Sequence, residues 1–146
     1  MEEMNKLKVY TVAEATRLIP RLSEMIQQLQ KKSESIVAQE VEIDALELVT
    51  EKNNSTVPSL LDRKVEEYNH DVARFYAMID EIQEMGCFLK DLTLGLVDFY
   101  SIHEGRVVFL CWKLGEKEMG YWHEVGRGYA YRQPIEHHHG ERESSG

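Results

Sequence analysis

The hydrophobic positions of the first fifty residues follow a seven-residue repeat. Its members are Ala15, Leu22, Leu29, Ile36 and Ile43. This repeat predicts a helix with a coiled-coil-like seam that reaches about residue 49. Thr11 followed by Glu14 is a capping-box pattern and marks the start of the helix. Pro20 predicts a kink or break around residues 16–20, because proline lacks the amide donor of the helical hydrogen bond.

A second amphipathic helix is predicted after Pro58. Its apolar positions alternate steps of four and three residues: Leu61, Val65, Tyr68, Val72, Phe75, Ile79 and Ile82. Gly86 suits the position just past the helix, where the backbone often turns left-handed. Residues 51–59 are polar and turn-forming and predict a loop. Two long amphipathic helices joined by a short loop predict an antiparallel hairpin over about residues 11–86.

Beyond Gly86 the hydrophobic pattern changes to a period of two. Residues 95–100 and 107–114 predict two strands joined by a turn at 103–106, and residues 121–124 predict a third strand. In the second run both faces are apolar, which indicates a central strand or a face that meets a partner. The prediction is therefore an α+β fold, in which the helical hairpin is followed by a small antiparallel three-stranded sheet over about residues 92–132.

Length and charge narrow the class of protein. The chain has 146 residues and a net charge of -9, which predicts one domain over residues 1–135 and a disordered tail over 136–146. Residues 1–91 hold 11 Lys/Arg and 18 Asp/Glu, a net charge of -7. An acidic helical region disfavours nucleic-acid binding, which needs a basic surface. The tract His137–His139 can bind transition metals adventitiously.

The sequence also carries signals for its compartment. It has no apolar run long enough to span a membrane and no visible signal peptide, so we expect no membrane partner. The two cysteines, Cys87 and Cys111, form no C-x-x-C pattern and fit a reducing cytoplasm, where they are interpreted as packing thiols.

A series of short motifs in the second half of the chain resembles a known bacterial family. The motifs are Gly86-Cys87-x-x-Lys90-Asp91, Gly95-Leu96-Val97-Asp98-Phe99, Gly105-Arg106, Leu110-Cys111-Trp112, Gly115-Glu116, Trp122-His123 and Arg132-x-Pro134. Together with the stretch from Tyr10 to Leu22, they resemble the family catalogued as domain of unknown function 2203, over about residues 9–134. In this family a proline often follows the Asp-Phe pair, where this chain has Tyr100. The resemblance implies a small, cytosolic, bacterial protein and supplies no catalytic residues.

The β part carries a set of polar residues that could perform chemistry: Asp91, Asp98, Arg106, Glu116, His123 and Glu124. Asp98, Glu116 and His123 lie on or beside strands that could be neighbours, so they are candidate metal ligands or acid/base groups. The alternative is structural, with Asp98 or Glu116 paired to Arg106 across strands and His123 hydrogen-bonded near Trp122.

The β part is also rich in aromatic residues. Those beside arginine suit an interface, and the candidates are Trp112, Tyr121, Trp122, Tyr129 and Arg132. The alternative is a core covered by the C-terminal segment. The leading hypothesis is a cytoplasmic, non-catalytic interaction or scaffold module that forms a homodimer or binds another protein and needs no cofactor. The alternative hypothesis is a small metal-dependent or acid/base enzyme or a ligand-binding module.

Overall fold

The computed structural model describes residues 8–53 and 58–136 and has the predicted α+β class. The helices are α1 (Val12–Arg17), α2 (Ile19–Asn53) and α3 (Pro58–Glu84). The strands are β1 (Cys87–Asp91), β2 (Leu96–His103), β3 (Arg106–Lys113), β4 (Tyr121–Glu124) and β5 (Gln133–Pro134), with a short 3-10 helix at Tyr129–Tyr131.

The start of the helical region follows the predicted signals. The Thr11 hydroxyl accepts a hydrogen bond from the Glu14 amide, and the Glu14 carboxylate accepts one from the Thr11 amide. The predicted break near Pro20 is also present, since α1 ends at Arg17 and α2 begins at Ile19. Pro20 has no N–H with which to continue the first helix.

The helices extend into the segment 51–59 that was predicted as a loop. Helix α2 continues to Asn53 and α3 already begins at Pro58, which is tolerated in the first turn of a helix because those amides have no intrahelical acceptor. Residues 54–57 lie outside the described residues, as do the predicted His137–His139 tract and most of the predicted tail.

The chain separates into two compact units. One contains the described residues up to Ile26 together with those from Glu81 onward, and the other is Gln27–Asp80. Within the second unit, Gln39 donates a hydrogen bond to Asp71 at 2.9 Å and Tyr68 donates one to Glu40 at 2.6 Å. Among the described residues, no helix combines the length and the apolar character needed to cross a membrane. The single-domain boundary at residue 135 stays a prediction.

The first unit contains a five-stranded antiparallel sheet, where the sequence predicted three strands. Its order is β1-β2-β3-β4-β5, so the strand with two apolar faces, β3, is central as predicted. The β part begins at Cys87 rather than 92 and extends to Pro134 rather than 132. Strand β1 is interrupted by a register shift between Leu89 and Asp91, and β5 has only two residues, so neither has a clear alternating pattern.

Glycines shape two junctions of this unit. Gly86 follows α3 with a φ of 89°, as predicted for the residue that ends the helix. The predicted β2–β3 hairpin closes through Glu104 and Gly105, both with positive φ, between the paired residues His103 and Arg106. This two-residue turn fixes which side chains of β2 and β3 share a face.

One face of the sheet carries the apolar core. Its central members are buried side chains of β2 and β3: Val97, Phe99, Val108, Leu110 and Trp112. Tyr10 contacts Phe99 edge to face, with ring centroids 5.2 Å apart. Buried residues from the start of the helical region, including Leu22 and Ile26, belong to the same unit and complete this core. Asp98 and Cys111 have the opposite parity on β2 and β3 and therefore lie on the other face of the sheet.

Candidate functional site

Three side chains that can ligate metals converge on the second face of the sheet. Asp98 on β2 lies opposite Cys111 on β3, and His123 on β4 lies opposite Phe109, one row away. All three are buried, and their ligand atoms lie within 4.8 Å of one another. Since residues two apart on a strand share a face, the antiparallel register brings Asp98, Cys111 and His123 together.

The two ring nitrogens of His123 have different partners. Its Nδ1 lies 2.9 Å from the backbone carbonyl oxygen of Glu124, which only accepts, so Nδ1 carries a proton in this hydrogen bond. Its Nε2 lies 3.1 Å from Oδ2 of Asp98. A neutral ring would direct its Nε2 lone pair at that oxygen, whereas a protonated ring donates a hydrogen bond to it and forms an ion pair with Asp98. This contact requires a shared proton or a cation.

The pKa values of the acidic partners are raised. Burial raises the pKa of Asp98 above its ordinary value, and the charges of His123 and Lys90 offset part of that increase. Burial, followed by the charge of Asp98, raises the pKa of the Cys111 thiol to about 12. In the absence of a cation, the cluster therefore favours a protonated thiol and a carboxyl group that is harder to ionise.

A cavity of about 220 Å³ opens beside the cluster. Asp98, Cys111 and His123 contribute to its wall, and the segment Gly126–Tyr129 forms another side. Two basic residues, Lys90 and Arg127, also line it. The cluster is thus shielded from bulk water and still accessible to a small molecule.

Aromatic rings pack on the face of the sheet that carries Asp98 and Cys111. Tyr100 and Phe109 stack with centroids 4.7 Å apart, and Phe88 meets Tyr100 edge to face. The Lys90 ammonium lies 5.2 Å from the centroid of Phe109. Lys90 falls at the irregularity of β1, and such bulges redirect side chains.

The structure separates the predicted polar residues. Asp98 and His123 meet, whereas Glu116 forms a two-bond ion pair with Arg132, with Oε2 to Nη2 at 2.6 Å. The predicted convergence of Glu116 with the other two candidates is therefore absent. Its position is explained by the turn after β3, where its carboxylate also accepts a hydrogen bond from the Lys113 amide.

The remaining polar candidates have structural partners. Arg106 pairs with Glu124 through two hydrogen bonds on the exposed edge of the hairpin, rather than with Asp98 or Glu116. Asp91 accepts a hydrogen bond from the Leu94 amide at 2.8 Å and caps the turn between β1 and β2. These residues shape the strands that hold the site.

The interface candidates have contacts within the chain. Trp112 is fully buried in the core and donates its indole hydrogen bond to the Glu116 carbonyl, so it is not a surface residue. The Arg132 guanidinium lies 3.9 Å from the ring centroid of Tyr121 and 4.6 Å from that of Tyr129. Trp122 is half-buried beside His103, with ring centroids 4.6 Å apart.

Cys111 is the member of the cluster that sequence reasoning missed as a ligand. The alternation of side chains along β3 was the available signal, because it places Cys111 on the same face as Phe109. The hairpin turn then places Asp98 opposite Cys111. Cys87 lies on the core face, opposite Phe99, and donates to the Ile82 carbonyl. The two thiols therefore belong to different environments.

The match to a protein family covers this whole arrangement. The family described as an uncharacterized conserved protein, DUF2203, matches residues 8–135, and the chain belongs to it. A search of curated proteins and a search of solved structures each found no match. The family description assigns no activity, so the proposal below depends on the geometry of the site.

Proposed function

We propose that the β unit binds one divalent transition-metal ion through Asp98, Cys111 and His123 and uses it as a metal-dependent binding or catalytic centre. One observation carries this proposal. Nε2 of His123 lies 3.1 Å from the Asp98 carboxyl group, with the Cys111 sulfur in the same buried cluster. A metal ion between these atoms replaces the proton that the contact otherwise requires.

The donor set fits a borderline-soft ion such as Zn²⁺. Zinc takes thiolate, imidazole and carboxylate ligands at about 2.0–2.3 Å, which places ligands of a tetrahedral site roughly 3.3–3.8 Å apart. The ligand atoms, all within 4.8 Å of one another, need small shifts to reach that geometry. Ligating histidines usually donate the other ring N–H to a carbonyl or carboxylate, as His123 does to Glu124.

Three protein ligands leave one position of a tetrahedral ion free. In zinc proteins a free coordination position is typical of sites that bind water or substrate, whereas purely structural sites have four protein ligands. The cavity beside the cluster gives a small molecule access to this position. We therefore propose a centre that polarises a bound ligand or lowers the pKa of a bound water. A cytoplasmic location is part of this proposal, since Cys111 has to stay reduced.

Metal binding at equilibrium tests this function. The histidine tract is replaced in the full chain by H137A, H138A and H139A. This chain is then titrated with Zn²⁺ by isothermal calorimetry. We expect one ion per chain, and we expect C111S and H123A each to weaken binding by on the order of 100-fold or more.

The matched control is Glu116→Gln. Glu116 is a sequence-predicted ligand that the structure pairs with Arg132 instead, so E116Q should bind zinc with unchanged affinity. A chain that binds no zinc once the histidine tract is replaced would refute the proposal. Equal affinity of C111S and the parent chain would remove Cys111 from the site.

A second candidate function is self-association through the helices. The observation that favours it is a set of exposed apolar side chains on α2, where Val41 and Leu48, seven residues apart, are 65% and 66% exposed. Ala38 and Ala45 are also exposed and complete a three-and-four spacing typical of coiled-coil contacts. We propose that α2 and α3 form an antiparallel, coiled-coil-like hairpin and that this stripe packs against a second copy.

Sedimentation equilibrium tests the second candidate. We expect a dimer at micromolar concentration, and we expect V41E to shift it toward monomer because a carboxylate would be buried at the contact. The control is S35E, which adds the same charge at another exposed position of α2. A parent chain that stays monomeric across this range would contradict self-association.

A further inference from the structure

The cavity beside the three candidate metal ligands also has a basic side. Lys90 and Arg127 line it together with Asp98, Cys111 and His123. The charge of Lys90 is close enough to Asp98 to lower the pKa of that carboxyl group in part. The Lys90 ammonium group therefore interacts electrostatically with the ligand cluster.

The charge of the loaded site follows from its ligands. A divalent ion bound by one carboxylate, one thiolate and a neutral imidazole has no net charge, so Lys90 and Arg127 leave the cavity positive. Glu124, which lies near Arg127, is already held by two hydrogen bonds from Arg106. The basic side chains of the cavity wall are then Lys90 and Arg127, whose guanidinium also lies 4.7 Å from the ring centroid of Tyr131. Their positive charge attracts an anion.

The size of the cavity limits the ligand. A volume of about 220 Å³ corresponds to roughly seven water molecules at about 30 Å³ each. A group with few non-hydrogen atoms fits this space. Arginine and lysine are the common partners of carboxylate and phosphate oxygens.

From the proposed metal centre, on which this step rests, we infer that the site takes a small oxyanion. One oxygen of a carboxylate or phosphate group fills the free position on the metal, and Lys90 and Arg127 bind the other oxygens. The two basic residues thus select an anionic group over a neutral one of the same size. They are positioning residues for the ligand and leave the metal ligands unchanged.

Cobalt spectroscopy separates this inference from the metal proposal. The full chain with H137A, H138A and H139A is loaded with Co²⁺, whose thiolate charge-transfer band reports Cys111 as a ligand and whose visible bands report the remaining positions. Inorganic phosphate and acetate are then titrated separately at constant ionic strength. We expect a saturable change in the visible bands with at least one of them.

Two variants complete the test. K90Q and R127Q should each keep the cobalt spectrum and bind the anion about tenfold more weakly. This is the loss expected for a charge-assisted hydrogen bond. K117Q is the control, because Lys117 is exposed in the turn before β4 and does not line the cavity. An intact cobalt spectrum that neither anion changes would overturn the inference, as would equal anion affinity in K90Q, R127Q and K117Q. Absence of the thiolate band would instead count against the metal centre.

Discussion

Alternate residues of β2 and β3 lie in two very different environments. On one face Val97, Phe99 and Trp112 are buried with apolar neighbours, and their side chains contribute mainly to stability. On the other face Asp98 and Cys111 are also buried, yet they form a polar cluster with His123 beside a cavity. Burying ionisable groups is costly, so the second face is difficult to explain by stability alone.

The largest expected effect falls on the core face. Trp112→Ala removes a fully buried indole and its hydrogen bond to the Glu116 carbonyl. We expect the free energy of unfolding to fall by about 3–5 kcal/mol, measured by urea denaturation. The control is Tyr131→Ala, since Tyr131 is largely exposed. A Trp112 variant as stable as the control would contradict the assignment of this face as the core.

The reactivity of the two cysteine thiols allows the two faces of the sheet to be compared. Burial raises the pKa of both thiols to about 12, so the metal-free native protein at pH 8 should react with iodoacetamide about 1,000-fold more slowly than the unfolded chain. Site-resolved mass spectrometry measures each thiol. Zinc should then change the reactivity of Cys111 and leave that of Cys87 unchanged. Rapid labelling of either native thiol would contradict its raised pKa.

Asp98→Asn should separate metal binding from folding. The introduced amide can still accept a hydrogen bond from the Cys111 thiol and donate one to Nε2 of His123, so the fold should be kept. The variant lacks a negatively charged ligand, and we expect zinc affinity to fall by on the order of 100-fold. A variant that unfolds would instead assign Asp98 a structural role.

The same variant tests the pH dependence. The folded protein holds the Asp98 proton to a higher pH than the unfolded chain, whose pKa is about 3.9. The contribution of this group to stability is therefore complete below that value and is lost as pH rises through the raised pKa of the folded state. Without metal, D98N should gain stability relative to the parent as the pH rises above about 4, the pKa of the unfolded carboxyl group. A constant difference in urea midpoints would contradict the raised pKa.

The smallest effect is expected at the ion pair beside the site. Glu116→Gln weakens the contact with Arg132, and the side chains of Glu116 and Arg132 are 24% and 13% exposed respectively. Discounted for solvent screening, the loss of stability should be about 1 kcal/mol. A loss as large as that of Trp112→Ala would indicate that this pair is part of the core.

The sequence contained much of the fold because its signals are local. The capping box at Thr11, the break at Pro20 and the turn at Glu104–Gly105 each depend on a few adjacent residues. Strand β1 was missed because a bulge interrupts its alternation, and β5 because it is only two residues long. Cys111 was missed as a ligand because its partners come from two other strands, and only the register brings them together.

X-ray absorption of the zinc-loaded chain with H137A, H138A and H139A tests the central claim most directly. The account predicts one sulfur neighbour at about 2.3 Å and nitrogen and oxygen neighbours at about 2.0–2.2 Å, the bond lengths of thiolate, imidazole and carboxylate ligands. The sulfur signal should disappear in C111S. A zinc ion surrounded only by nitrogen and oxygen in the parent chain would contradict a metal centre built from Asp98, Cys111 and His123.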